Sequence, residues 1–274
     1  MPRTRVLLTV ITYPLPSRSY DELVCTAGML ENGSWIRIYP VPLKFYSGFK
    51  RHGKNNTFKY TWITLNLSKR EDDFRPESYS PVNYNFSDIE IGETVTPNSN
   101  WIRRKEICLQ NVWTDLTKLI ESSKAPSNTS LVVFKPTEIT KFSWEETERE
   151  WKDTWKALRA QGDLFNDVNP EIKIKKLPYK FYYHYADDQG RTSKMMIEDW
   201  EIGQLFWNCL GKANGDEAIA LQKVKEKYDD DFLKNKDIHL FLGTTKQFHQ
   251  KRAKNPFVII GVFYPKKEDQ LSLF

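Results

Sequence analysis

The chain has 274 residues, of which 39% are hydrophobic and 28% charged, and a net charge of +5. This length supports one large domain or two small ones with a sizeable core, and no apolar run approaches the length of a membrane-spanning helix. Three scattered cysteines (Cys25, Cys108, Cys209) argue against a disulfide framework or a zinc site, and Met1-Pro2-Arg3-Thr4-Arg5 lacks a signal-peptide core, so a cytoplasmic protein with no membrane partner is expected.

Residues 6–13 read as a buried β-branched strand broken by Pro14 and Pro16. Residues 23–29 form a second strand, Glu31-Asn32-Gly33-Ser34 a hairpin turn, and residues 35–41 a third strand. In that strand Trp35, Arg37 and Tyr39 point one way and Ile36 and Ile38 the other. Arg37 needs a partner or an anionic ligand.

The stretch 44–60 follows. Lys44, Lys50, Arg51, Lys54 and Lys59 alternate there with Phe45, Tyr46, Phe49, Phe58 and Tyr60, and no acid intervenes. Cations for phosphates and rings for bases make it a candidate nucleic-acid contact; a solvated loop with its rings tucked under is the alternative. Residues 62–67 alternate as a fourth strand. Residues 68–99 are polar and rich in turns, which predicts a surface wrap, with a short helix or turn at 88–93. Arg103 and Arg104 add a second basic cluster. Residues 112–122 carry helical periodicity through Val112, Leu116, Leu119 and Ile120, and residues 131–134 a buried strand.

Near Pro136 the texture changes. Ser143 followed by Glu145 and Glu146 predicts a capped helix running to Ala160, with Trp144, Trp151 and Trp155 on its stripe and Gly162 ending it. Residues 179–185 and 192–197 predict a hairpin. Helices are predicted from Asp199 to Leu210 and from Gly215 to Leu233, and buried strands at 238–242 and 257–264. The loop between those strands is basic, with Lys246, Lys251 and Arg252. Together these elements predict an α+β protein: an N-terminal β-meander or small barrel-like sheet over residues 1–135, then a mixed sheet with three or four helices over 136–264. Residues 265–274 are expected to form a flexible tail.

No phosphate-binding glycine loop, nucleophile elbow or H-E-x-x-H motif is present. Glu171-Ile172-Lys173, with Asp163 and Asp167 nearby, has the E-x-K shape of restriction-type nucleases. Glu198, Asp199 and Glu201 at a strand-to-helix junction could hold Mg²⁺, although Asp199 also suits a helix cap and Glu201 the helix dipole. His249 could serve as a general base. No other cofactor is expected.

Two resemblances complete the reading. The runs TYPLPSRSYDELVCTAG, WIRIYPVP, RPESY, MIEDWEIG and FLGTTKQFH resemble an uncharacterised bacterial family of about this length. Gln270, Leu271, Ser272, Leu273 and Phe274 match at every position the peptide with which bacterial replication and repair proteins dock on the DNA sliding clamp. That resemblance implies the clamp and DNA as partners, with a role in repair, surveillance or defence against foreign DNA. A DNA-acting nuclease or glycosylase, and a sensor of a nucleotide or other small anionic ligand around Arg37, are the alternatives.

Overall fold

A computed structural model describes residues 3–16, 22–43, 45–46, 58–154, 174–251 and 253–268. The chain is α+β, as its patterning predicts.

Five strands close the first sheet into a barrel. They are β1 (Arg3–Ile11), β3 (Glu22–Met29), β4 (Trp35–Pro42), β5 (Thr61–Lys69) and β6 (Ser78–Pro81). The order around the barrel is β1-β3-β4-β6-β5 and back to β1, with β4 and β6 parallel and the other pairs antiparallel. Two short strands, β2 (Leu15–Pro16) and β7 (Glu90–Thr94), add to β3 and β5. Closure leaves few unpaired edges. Val6, Leu8, Val24, Ile36, Ile38, Ile63 and Leu65 fill the interior. In β1 the inward set skips from Leu8 to Ile11 because the pairing with β3 slips between Leu8 and Val10, a bulge that reverses the alternation.

The second sheet runs β10-β11-β12-β14-β13-β9-β8. Its strands are β8 (Val112–Trp113), β9 (Leu131–Phe134), β10 (Glu138–Glu146), β11 (Tyr179–Ala186), β12 (Thr192–Ile197), β13 (His239–Thr244) and β14 (Phe257–Phe263). The run β10-β11-β12-β14-β13 repeats the connectivity of the barrel: two antiparallel pairs, a parallel pair and a final antiparallel pair. Here the ring stays open, because β13 pairs with β9 and not with β10.

Helix α1 (Asn98–Cys108) joins the units, and α2 (Leu116–Ser122) precedes β9. Between β12 and β13 lie α3 (Trp200–Lys212), α4 (Glu217–Lys225), a π-helical turn (Glu226–Asp231) and α5 (Phe232–Asn235). Helix α6 (Lys246–Gln250) follows β13. Phe206, Val224, Tyr228 and Phe232 cover one face of the second sheet. The barrel covers the other: Leu7, Val10, Ala27, Met29 and Trp62 meet Leu131, Val133, Phe241, Val258 and Ile260. Coverage on both faces explains why every residue of β13 and β14 is buried.

Three expectations fail. The helix predicted from Ser143 is strand β10 as far as Glu146, which pairs with Tyr179. Phe142 and Trp144, two apart, share one face with ring centroids 6.2 Å apart, so the strand period prevails over the cap-like Ser-Trp-Glu-Glu. Residues 155–160 of that helix lie outside the described residues. The predicted wrap over 68–99 contains β6, which closes the barrel, and β7 in place of the helix or turn at 88–93. Val112 and Trp113 are a strand beside β9, and the helix starts only at Leu116, capped by Asp115 accepting from Lys118 N.

Candidate functional site

The barrel and the second sheet meet where β1 ends and α3 begins. Thr12 bridges to Asp199, and Tyr13 N donates to Glu198 O at 2.9 Å. This brings together Glu198-Asp199-Trp200 of the MIEDWEIG run and the segment that follows β1.

Asp199 is fully buried. Its carboxylate caps α3 by accepting from Glu201 N, and it receives Lys59 Nζ at 3.1 and 3.2 Å. Lys59 also reaches Glu201 at 3.3 Å. Burial lifts the Asp199 carboxyl to about 6 against the pull of Lys59. Burial alone would lower the Lys59 ammonium, but Asp199 and Glu201 outweigh it and hold it above its ordinary value. The two Nζ contacts have the distances of an ammonium–carboxylate pair. Glu198 faces elsewhere, and burial pushes it to about 6 against the field of Lys180. Two of the three acids thus converge, and they converge on a lysine. Among the described residues no three His, Cys, Asp or Glu side chains form a metal-holding group.

His249 is buried, with both ring nitrogens engaged by Thr244 Oγ1 at 3.0 Å and by the Ser123 carbonyl. The carbonyl fixes the proton on Nε2 and leaves Nδ1 to accept from the hydroxyl. Burial keeps this imidazole below its ordinary pKa. The ring is tied within the fold.

The basic residues divide by exposure. Arg37 is buried at the seam, where Nη1 donates to Ser78 Oγ at 3.2 Å and Ser130 Oγ at 2.9 Å. Ser130 in turn donates through N and Oγ to Glu77 at 3.1 and 2.7 Å. Burial, then the charge of Arg75, pulls Arg37 down to about 10, so it remains a cation at neutral pH. Its partners are thus protein groups. Arg104 is buried with Nε on Val95 O at 2.8 Å and its guanidinium 3.9 Å from the Tyr60 ring centroid. Arg37, Lys59 and Arg104 are therefore held within the protein and not presented to a phosphate backbone. Arg103 is exposed beside Glu93, Lys246 reaches Asp72, and Lys251 is exposed. Lys44, Lys50, Arg51, Lys54 and Arg252 lie outside the described residues, as do Asp163, Asp167, the Glu171–Lys173 run and residues 270–274.

Beside the junction lies a pocket of about 510 Å³ that the linear motifs do not reveal. Its walls include Tyr13, Trp200 and Trp207, and Gln204 and Lys175 supply polar groups. Tyr13 and Trp200 stack with centroids 5.9 Å apart and planes inclined by 29°. Trp207 Nε1 donates to Tyr13 Oη at 2.7 Å, and Tyr13 Oη donates to Lys175 O at 2.8 Å. The tyrosine can lie so close to α3 because Gly203 carries no side chain: a Cβ there would sit 2.4 Å from the ring. The signal in the sequence was the spacing Trp200, Gln204, Trp207, Gly211, one face of one helix. Tyr13 comes from another unit and has no sequence link to that face.

Among solved structures, a murine DNA-binding protein bound to double-stranded DNA aligns over 98% of this chain and 96% of its own, at 11% identity and a TM-score of 0.32. The tetrameric p202 HIN2 structure aligns over 97% and 92%, at 9% identity and a TM-score of 0.31. No curated protein matches the sequence. Residues 2–110 match the family model described as Domain of unknown function (DUF8758). Residues 113–274, more than half of the chain, match the model described as Domain of unknown function (DUF8757), and the chain belongs to that family.

Proposed function

We propose that this chain is a DNA-associated protein brought to the replication sliding clamp by residues 270–274, serving repair, surveillance or defence against foreign DNA. The observation that carries the reading is the pentapeptide itself, Gln-Leu-Ser-Leu-Phe, which agrees with the clamp-docking pattern at all five positions. Leu271, Leu273 and Phe274 would each contribute roughly 1.5–3 kcal/mol on burial in an apolar cleft. After the cost of ordering the segment, an affinity on the order of micromolar remains.

The DNA half of the reading draws support from architecture. A five-stranded Greek-key barrel is a frame that other proteins use to hold oligonucleotides across two neighbouring strands and their loops. Here Ala27 and Trp35, on β3 and β4, are taken up by contact with the second sheet, Trp35 meeting Phe241 edge-on at 5.3 Å. Cys25, two residues before Ala27 on β3, is exposed. Fold alone does not assign function, and the test is direct. Purified clamp is offered to the full chain and to a chain lacking 270–274. Retention of the full chain only supports docking, and equal retention removes it. Binding to single- and double-stranded DNA across a salt series tests the second half. A DNA-binding protein loses affinity steeply with salt, and no binding at low salt would refute that half.

A further inference from the structure

The geometry points to the pocket between Tyr13 and α3 as a binding site for one heteroaromatic ring carrying a phosphate, that is, a nucleotide. The pocket's volume of about 510 Å³ falls in the range of small-ligand sites. Tyr13, Trp200 and Trp207 give its wall flat rings, which every nucleobase can stack upon. These rings are fixed before any ligand arrives. Tyr13 is held by the relay from Trp207 to the Lys175 carbonyl and lies against the bare backbone at Gly203, so little ordering is needed on binding.

Two polar groups on the pocket wall have no partner among the described residues. Among the described residues, the Gln204 side-chain amide and the Trp200 indole N–H make no hydrogen bond, and both residues are only partly buried. An amide offers a donor and an acceptor side by side, the pattern that pairs with a base edge. Lys175 completes the arrangement. Its Nζ rides 5.4 Å from the Trp207 ring centroid, and the side chain is exposed, so a cation stands near the stacking surface. An aromatic wall, an edge-reading amide and a cation match base and phosphate together; a purely apolar ligand would leave the last two unused.

The same chemistry could come from a free nucleotide or from a base within a DNA strand, and the experiment separates the two. Gly211 faces the pocket, has nothing within 4 Å of the position of an added Cβ, and lies within α3 with ordinary backbone angles. Gly211→Leu therefore places its Cβ in open space at the pocket wall, and unchanged thermal stability verifies that the longer side chain is accommodated. Gln204→Leu, which removes only the edge contact, is the second variant if the first does not fold. Calorimetric titration of the full chain uses the four deoxynucleoside monophosphates in one arm. The other uses a single-stranded oligonucleotide, intact or with one abasic position.

Loss of a stacked ring corresponds to about 5- to 150-fold in affinity. Monophosphate binding that weakens at least tenfold in Gly211→Leu or Gln204→Leu supports a free nucleotide site. Oligonucleotide binding that weakens likewise, and also on abasic substitution, supports a base held within a strand. If neither variant changes either arm, or if no ligand binds in either arm, the inference is overturned. The monophosphate arm stands even where DNA association fails, so the two proposals fail separately.

Discussion

Replacing Lys59 with Met tests whether the charge cluster under α3 is a buried ion pair. The Lys59 side chain is 5% exposed and that of Asp199 is fully buried. The substitution removes both Nζ contacts to Asp199, at 3.1 and 3.2 Å, with the one to Glu201 at 3.3 Å, and leaves the Asp199 carboxylate with the Glu201 backbone N–H at 3.2 Å. An unpaired buried charge costs about 3–5 kcal/mol, a fall in Tm of roughly 10 °C for a chain of this size. Asp199→Asn keeps the helix cap and leaves Lys59 with Glu201, so it should cost less, about 1–3 kcal/mol. The double variant should be more stable than the sum of the two losses predicts.

The pH dependence of this penalty follows from Asp199. Its carboxyl is raised by burial to about 6 even with Lys59 beside it, and without Lys59 it rises further. An acid raised in the folded state binds its proton more tightly there than in the unfolded chain, so lowering the pH favours folding. The Lys59→Met penalty is therefore full above the raised pKa and shrinks as pH falls from 7 to 5. Urea denaturation at both values is the assay. A penalty below about 1 kcal/mol at pH 7, or one equal at pH 5, would refute a buried pair.

Three further outcomes are expected. Gly203→Ala places a methyl 2.4 Å from the Tyr13 ring, so it should cost about 1–3 kcal/mol and change the indole environment of Trp207 in near-ultraviolet circular dichroism; an unaltered spectrum would mean that Tyr13 does not pack there. Arg37→Leu removes the donor to Ser78 and Ser130 at the seam, so hydrogen exchange should quicken in β4 and β9 with a loss of about 2–4 kcal/mol. Exchange unchanged in both strands would count against the seam. Glu198→Gln removes a carboxyl that burial holds at about 6. The wild-type carboxylate loses stability as pH rises from the unfolded value through the raised one, so the variant should be more stable by about 2 kcal/mol at pH 7 and equal to wild type near pH 4. The same margin at both pH values would refute the assignment.

Much of the fold follows from local pattern. The alternation of Phe181, Tyr183 and Tyr185 against Tyr182 and His184 specifies a strand with one buried face, and β11 has it. Asp199 ahead of Trp200 specifies the start of α3, and its side chain caps Glu201 N there. The misread segment, 143–146, carries a cap-like Ser-x-x-Glu and tryptophans at helical spacing. Its partner β11 lies more than thirty residues away, and pairing with it outweighs local propensity. Strand β6 was hidden for the same reason. Its four residues bind between β4 and β5 and have little pattern of their own.

The sequence by itself determined the α+β class, the hairpin of β11 and β12, the helix after Asp199 and the buried strands β13 and β14, because each depends on periodicity, apolar runs or capping within a few residues. It also placed Glu198, Asp199 and Glu201 at a strand-to-helix junction. Only the tertiary structure decided that Asp199 and Glu201 face Lys59, that Arg37 ties β4 to Ser130, and that Tyr13 lies over Gly203 beside Trp207. Those contacts join residues about ninety to one hundred and ninety positions apart. Their geometry arises from how the barrel packs on the second sheet, which no local rule of spacing encodes.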